Sequence, residues 1–376
     1  MTPNSFPLSA AILLLAALTA PAGAQNVQPG TARFVSFSVP GATGGDGLGT
    51  FPTGFSPGRG MAVVGVWENR HTAGAPMFRR ASNGAITPIE PPGSVLSFPI
   101  DPTINAAGMI AGFYVNARNK YRGFLESRSG SFTIFALPDR AGVFSNAPAI
   151  NIKGAVTGNY ALPHKFPVGF LRDPDGTFTE FTAPKPRGGT LFGTFPLSIN
   201  ADGTIVGYYV IGVNNISQSH GFTRTPDGKF TTYDVPGALS TSLQSINDKG
   251  DIAGDYYVDE NGTSHGFLLT ANGSLSRFDV PGAGPGHPGN PKGTYVVGMS
   301  PSRVITGTYN NSQSRFDHGY LRSQDGTITT FDFPGAGNAD PVGINENCVI
   351  AGSYSDAKAT SHGFLRIPAS RSAGCN

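Results

Sequence analysis

Self-similarity at a fixed period constrains this chain more than any other feature. The Asn of an Ile-Asn step recurs at Asn105, Asn151, Asn200, Asn247 and Asn345, so successive spacings are 46, 49, 47 and 98. The last gap conceals one more copy, in which Ser300 of the run 299–307 (Met-Ser-Pro-Ser-Arg-Val-Ile-Thr-Gly) takes the place of the Asn. A degenerate first copy surrounds Ser56 and continues into Val63-Val64-Gly65-Val66-Trp67, giving seven. One clear copy runs from Ser245 to Ala283. It holds Ser-Ile-Asn-Asp-Lys-Gly, then Asp-Ile-Ala-Gly-Asp-Tyr-Tyr, His-Gly-Phe-Leu-Leu, Asn-Gly and Arg-Phe-Asp-Val-Pro-Gly-Ala. Each copy contains three or four runs rich in Val, Ile, Phe, Tyr and Thr, and none has helical periodicity. The Asp-Gly and Asn-Gly pairs at 175–176, 227–228, 272–273 and 325–326 predict hairpins, because those residues accept positive φ cheaply. The 52 glycines and 31 prolines fit that density of turns.

Strand-forming repeats of about 45–50 residues predict an all-β fold, a seven-bladed β-propeller with one repeat per blade. Six and eight are the neighbouring counts. The chain ends supply a second argument. The last copy stops after the segment 362–366 (His-Gly-Phe-Leu-Arg), without a fourth strand, while an orphan fourth strand, residues 34–42, lies near the start. It matches residues 230–238 position for position. The N-terminal strand is therefore expected to complete blade seven, which removes two unpaired sheet edges. The expected organisation is a single propeller domain over 25–376, with residues 31–42 completing blade seven and 367–376 a C-terminal tail.

Residues 1–24 differ in kind. The apolar run from Ala10 to Ala20 is followed by Pro21 and the small-residue site Ala22-Gly23-Ala24. It reads as a secretory signal peptide cleaved before Gln25 and is too short for a spanning helix, although residues 2–9 carry no Lys or Arg. No later stretch is long enough to cross a bilayer. The expected location is outside the cytoplasm: periplasm, cell surface or medium. Export gives meaning to the two cysteines. A Cys348–Cys375 disulfide would close a loop of 27 residues (375 minus 348), worth on the order of 3 kcal/mol in the chain-entropy model. Free thiols and an intermolecular bridge are the alternatives, and two cysteines provide no four-ligand zinc site.

His220, His265 and His318 precede Gly-Phe or Gly-Tyr, and Asp234, Asp279 and Asp332 each follow 14 residues later. Two copies lose both members together, carrying Arg122 with Ala136 and Val168 with Thr182. Groups that come and go as a pair point to a structural His–Asp contact across one hairpin rather than a catalytic dyad, which is needed once. The repeated Asn is likewise expected to shape the turn it opens.

The alternation of Ile-Asn-x-x-Gly-x-Ile-x-Gly with His-Gly-Phe-Leu resembles the bacterial extracellular repeat proteins named for a His-Ala-Phe (HAF) triplet, with Gly here where Ala is frequent. The resemblance covers residues 100–366, most strongly from Ser198 onward. It implies an exported repeat protein of the propeller type and carries no established activity or catalytic residues.

Function is expected where the copies differ. The loops 41–55, 139–147, 184–196, 209–219, 256–264, 282–294 and 309–317 are long and variable and belong to one face. Within them Gly49-Thr50-Phe51, Gly193-Thr194-Phe195 and Gly293-Thr294-Tyr295 place an aromatic five residues before the first-turn position, and Phe98 and Phe144 sit seven before theirs. These five either ring the channel mouth, where they would stack on a sugar or another flat ligand, or plug the hub as core. Asp101 and Asp340 are the acidic residues nearest that mouth. They would form a glycosidase pair only at a suitable separation, and otherwise cap turns ahead of Pro102 and Pro341.

Other chemistry is thin. Trp67, His71, His164 and His287 stand outside the repeated positions. Gly-x-Gly near His287 precedes no helix, which argues against phosphate binding. Asp259, Glu260 and Asn261 lack the full ligand series of a calcium loop, so no metal or cofactor is expected. A net charge of +2 from 26 basic and 24 acidic side chains argues against nucleic acid. The sequence thus points to a monomeric, exported, non-catalytic binding or scaffold propeller with an unknown ligand or protein partner. The alternative is a carbohydrate-active hydrolase or lyase at the aromatic mouth.

Overall fold

The computed structural model describes residues 32–42, 45, 47–71, 74–137, 148–161, 165–184, 189–213, 216–260, 262–285, 292–310 and 317–369, without the side chains of 96–100, 213 and 216. The expectations for residues 1–24, Phe144, His164, Asn261, His287 and Cys375, and for the Phe98 side chain, lie outside that set. The described chain is all β, with 28 strands and no helix.

Strand β1 (Arg33–Phe37) stands apart from seven successive units. Unit 1 holds β2 (Thr50–Phe55), β3 (Val63–Trp67), β4 (Met77–Arg80) and β5 (Ile86–Ile89). Unit 2 holds β6 (Ser94–Ile104), β7 (Ile110–Asn116), β8 (Tyr121–Glu126) and β9 (Phe132–Ala136). In unit 3 come β10 (Ala149–Ile150), β11 (Val156–Tyr160), β12 (Val168–Arg172) and β13 (Phe178–Phe181). Unit 4 comprises β14 (Thr190–Ile199), β15 (Ile205–Val213), β16 (Ile216–Arg224) and β17 (Phe230–Tyr233). Unit 5 comprises β18 (Ser240–Ile246), β19 (Ile252–Tyr257), β20 (Thr263–Leu269) and β21 (Leu275–Phe278). Unit 6 is β22 (Lys292–Met299), β23 (Ile305–Asn310), β24 (His318–Arg322) and β25 (Ile328–Phe331). Unit 7 has β26 (Asp340–Ile344), β27 (Ile350–Ser355) and β28 (Ser361–Ile367).

Within each unit the strands pair antiparallel in chain order, and unit 7 gains its fourth strand from β1, in the order β1-β28-β27-β26. Phe34 opposes Arg366 and Phe37 opposes Gly363, so the matched N-terminal segment does the work of a fourth strand. Units 5 and 6 are also joined by a short parallel contact, Ser264 opposite Gly293 in β20 and β22. The first strands adjoin one another from unit to unit, and that of unit 7 adjoins that of unit 1, which makes them the inner strands.

The repeated residues explain this packing. In unit 5 a Cβ on Gly254 would stand 2.8 Å from the Phe267 ring, and one on Gly266 would stand 2.5 Å from the Phe278 ring. The two glycines therefore let successive aromatics lie flat across their neighbours. The aromatic of each His-Gly-Phe segment or its equivalent is fully buried, as at Phe124, Phe222 and Phe364, and each such ring contributes roughly 1.5–3 kcal/mol. Apolar clusters form between units rather than within them. Ala253, Leu268 and Val280 of unit 5 meet Val296, Ile305 and Tyr320 of unit 6. Phe37, Val349 and Leu365 at unit 7 meet Phe55, Val63 and Phe78 of unit 1.

Two polar devices reinforce the same junctions. Asn Oδ1 accepts from its own turn, as from the Ala155 amide to Asn151. Its Nδ2 donates to the next unit: Asn105 to the Asn151 carbonyl at 2.8 Å, Asn151 to that of Asn200 at 3.0 Å, and Asn345 to that of Gly60 at 2.9 Å. Third-strand guanidiniums lie over the fourth-strand aromatic of the preceding unit, Arg172 over Phe135, Arg224 over Phe181 and Arg322 over Phe278, at 4.7–4.9 Å. At the fourth strand of unit 7, Arg80 lies over Phe37 at 4.9 Å.

The Asp-Gly and Asn-Gly turns adopt a narrower geometry than expected. Only the glycine is left-handed, as at Gly176 (φ 97°), whereas the Asp175 side chain accepts a hydrogen bond from the Thr177 amide. Cys348 is fully buried with φ 53°, at the turn position that Gly250 holds in unit 5.

Candidate functional site

The Gly-Thr-aromatic motif is a clasp between units. Gly49 and Gly293 have φ of 143° and 122°, and a Cβ on either would fall 2.1–2.2 Å from the Ser361 or Ser264 carbonyl of the preceding unit. The next residue, Thr50, Thr194 or Thr294, accepts from the amide of Val39, Ala183 or Val280 at 2.9 Å. The aromatic that follows is thereby fixed on the inner strand. A β-bulge comes immediately after it, between Pro52 and Gly54, Pro196 and Ser198, and Val296 and Gly298, and re-aims the strand.

Register assigns what each unit contributes at that height. Phe51 opposes Val66, Ile100 opposes Phe113, Phe195 opposes Tyr208, Ser242 opposes Asp255, Tyr295 opposes Thr308, and Asp340 opposes Ser353. Units 1 and 2 are thus apolar there and units 4 to 7 are aromatic and polar. Phe51, Phe195 and Tyr295 are half-buried. Phe51 packs against the unit 1–unit 2 core, and Phe195 stacks on Tyr208 with centroids 4.9 Å apart and planes 18° apart. Tyr295 and Tyr257 are in contact through their phenols, and burial, then Tyr257, Asp255 and Asp317, push the Tyr295 hydroxyl up.

Asp340 occupies the register position of the aromatics, and Asp101 lies one residue beyond it within β6. Both belong to inner strands, Asp340 as the first residue of β26. Both residues are exposed to solvent at one edge, with protein crowded around the rest of each carboxyl. Burial pushes both carboxyls up, that of Asp340 to about 6 with the Asp317 carboxylate adding to the rise. The acid that acts on Asp340 is Asp317, which accepts from Asn310 Nδ2 at 2.8 Å. Asp317 falls in no repeated motif, so sequence reasoning missed it. Asp255 was also missed. It is buried, accepts from Gln244 Nε2 at 2.9 Å, and is pushed up by burial to about 7. The signal was present: Asp255 alone carries a carboxylate where the other units have Val66, Phe113, Asn159, Tyr208, Thr308 and Ser353.

The His–Asp positions lie on outer hairpins. His220, His265 and His318 contact Asp234, Asp279 and Asp332 through Nδ1 at 2.8 Å, and each imidazole lies against a tyrosine, Tyr209, Tyr256 or Tyr309. In unit 7, Ser38 of the N-terminal segment takes the Asp role toward His362 Nδ1. Trp67 packs into the unit 7–unit 1 core and His71 is exposed. Among the described residues no cluster of three His, Cys, Asp or Glu suits a metal ion.

No family model and no curated protein matches this chain. Solved structures of similar fold include the acylaminoacyl peptidase of Pyrococcus horikoshii, at 11% identity and TM-score 0.55, with 85% of this chain and 52% of that chain covered. A puromycin hydrolase (14%, TM-score 0.51) covers 78% and 49% of the two chains, and a prolyl endopeptidase (12%, TM-score 0.52) covers 87% and 46%. The chain therefore spans about half the length of the structures it matches. At these identities the likeness concerns the fold alone, a β-propeller.

Proposed function

We propose that this chain is an exported seven-bladed β-propeller of the HAF-repeat type that binds a ligand or protein partner at the mouth of its inner strands without transforming it. The observation that carries the reading is the division of labour between positions. Residues that recur from blade to blade are consumed in joining blades, whereas the inner-strand position before each bulge differs between blades, and there Phe195, Tyr295, Asp340 and Ser242 stand on rigid strands. Recognition sites are built that way, from a few polar groups among aromatic faces on a stiff frame. Seven-blade closure is supported by the pairing of β1 with β28 and by the core shared between units 7 and 1. Export rests on the signal-peptide pattern of residues 1–24, and a Cys348–Cys375 disulfide would fasten the tail beside the closing blade.

A second reading, a hydrolase, is favoured by one observation: the Ala339 amide donates to the Asp317 carbonyl at 3.2 Å, which seats two acids side by side, and burial with the Asp317 carboxylate pushes Asp340 up to about 6, within range of proton transfer. In that case the acidic pair is Asp340 with Asp317. The solved structures of like fold bear hydrolase and peptidase names, but a matching activity would have to arise from this chain's own residues.

Both readings are separated by incubating the purified protein with oligosaccharide and peptide libraries and weighing both the retained and the free pools. Retention of unaltered compounds, lost in Tyr295→Ala, is the expected result. Cleaved products that disappear in Asp340→Asn would overturn the binding reading in favour of the hydrolase.

A further inference from the structure

On its third strand, blade 6 departs from the repeat by a single buried atom. The third-strand aromatic is Phe78, Phe124, Phe170, Phe222, Phe267 or Phe364 elsewhere, and Tyr320 here, all fully buried. The Tyr320 ring lies against Gly307 of the adjoining strand, as Phe267 lies against Gly254. Its extra hydroxyl has no hydrogen-bond partner among the described residues. The carboxylate that acts on it is Asp255, across the junction with blade 5. Two departures from the repeat thus meet at one place, an acid where the other blades carry none and a phenol where they carry phenyl.

The same flank gathers further acids and phenols, and the Arg322 guanidinium also acts on Tyr320, opposing Asp255 there. Asp255 acts on Tyr208, Tyr257, Tyr295 and Tyr320, and Asp317 acts on Tyr295 and Asp340. The fixed partners of the acids are amides: Gln244 for Asp255 and Asn310 for Asp317. Among the described residues none of Asp255, Asp317 and Asp340 is in an ion pair. Lys292, three residues before Tyr295, begins the same inner strand and is the nearest basic residue along it. Acids that make no ion pair among the described residues, set among electron-rich ring faces, favour a positively charged guest.

We propose that the inner-strand flank of blades 4 to 7, from Phe195 and Tyr208 through Asp255 and Tyr295 to Asp340, recognises an organic ammonium cation carried on a flat or apolar body. The inference rests on the binding reading above and names its ligand class. The ammonium meets Asp340 and Asp317, the body lies on the half-buried rings, and Asp255, once ionised, adds negative potential. Because the guest is attracted only by ionised acids, its affinity rises with pH as Asp340, raised to about 6, and Asp255, raised to about 7, lose their protons.

The test is calorimetric titration of the purified protein with benzylammonium chloride and with benzyl alcohol, at pH 8 and pH 5. Benzylammonium is expected to bind at pH 8 at least about tenfold more tightly than the alcohol, and to weaken by a similar factor at pH 5. Asp340→Asn should abolish the preference and Asp340→Glu should keep it, with melting temperatures confirming that both variants fold. Equal binding of the two probes, or an unchanged preference in folded Asp340→Asn, overturns the proposal. If neither probe binds but a neutral oligosaccharide does, and Tyr295→Ala loses it, the cation inference fails and the binding reading stands. If nothing in the libraries is retained either, both fail.

Discussion

A single asparagine does two jobs in this chain. At Asn151 the Oδ1 atom holds the turn that the residue opens, and Nδ2 reaches the Asn200 carbonyl of the next blade. Asn151→Asp keeps the first contact and removes the second donor. The Asn200 carbonyl keeps its bond from the Gly203 amide, so the loss is that of one inter-blade hydrogen bond, about 0.5–1.5 kcal/mol, plus the cost of facing a buried carboxylate to a carbonyl. Urea denaturation should show a loss of at least that size, and an unchanged midpoint would contradict the inter-blade role. The turn role was legible in sequence because Asn shapes turns locally. The inter-blade bond was not, because its acceptor lies 49 residues away and no local pattern marks it. Asp255 yields a pH prediction. Its carboxyl, raised from 3.8 to about 7, holds a proton in the folded state that the unfolded chain releases earlier. The folded state then binds more protons between those values, so stability falls as pH rises from about 4 to 7, by up to roughly 4 kcal/mol if the whole rise is realised. Asp255→Asn should flatten that limb of a melting-temperature profile against pH and raise stability at pH 8.

At the scale of elements, the clasp and the closing strand carry most of the argument. A Cβ at Gly293 would collide with the Ser264 carbonyl in a backbone conformation that L residues rarely adopt. Gly293→Ala is therefore expected to destabilise by about 1–3 kcal/mol or more and to displace Tyr295, read as a lower melting temperature together with weaker ligand retention. The control is Gly335→Ala, a left-handed glycine with open space around it, which should cost less and leave retention intact. Strand β1 was legible because residues 34–42 and 230–238 share one pattern. The parallel contact of β20 with β22, and the bulge after each mouth residue, were not, because hydrophobic alternation reports faces and not register. The bulge also explains why Asp101 and Asp340, both followed by Pro, differ in position: Asp340 opposes Ser353 while Asp101 sits in the shifted stretch between Ile100 and Thr103.

For the whole molecule, repetition builds the frame and departures from it build the site. Composition and period sufficed for an all-β repeat architecture, because a period near 47 residues leaves few ways to arrange four short strands. The candidate site was half legible. Tyr295 and Phe195 are marked by their distance from the first turn and Asp340 as an acid near the same mouth, whereas Asp255, Asp317 and Tyr320 become neighbours only through the packing of blades 5, 6 and 7. The export reading predicts that the N-terminal residue of the protein recovered outside the cytoplasm is Gln25, and an intact Met1 in that fraction would contradict it. The central claim is that seven blades, closed by β1 on β28 of the same chain, hold an open acidic and aromatic mouth. A crystal structure of the exported protein tests it most directly. The account predicts β1 hydrogen-bonded to β28 of its own chain, with Tyr295 and Asp340 lining solvent-filled space. A strand exchanged between molecules, or a mouth sealed by packed side chains, would contradict it.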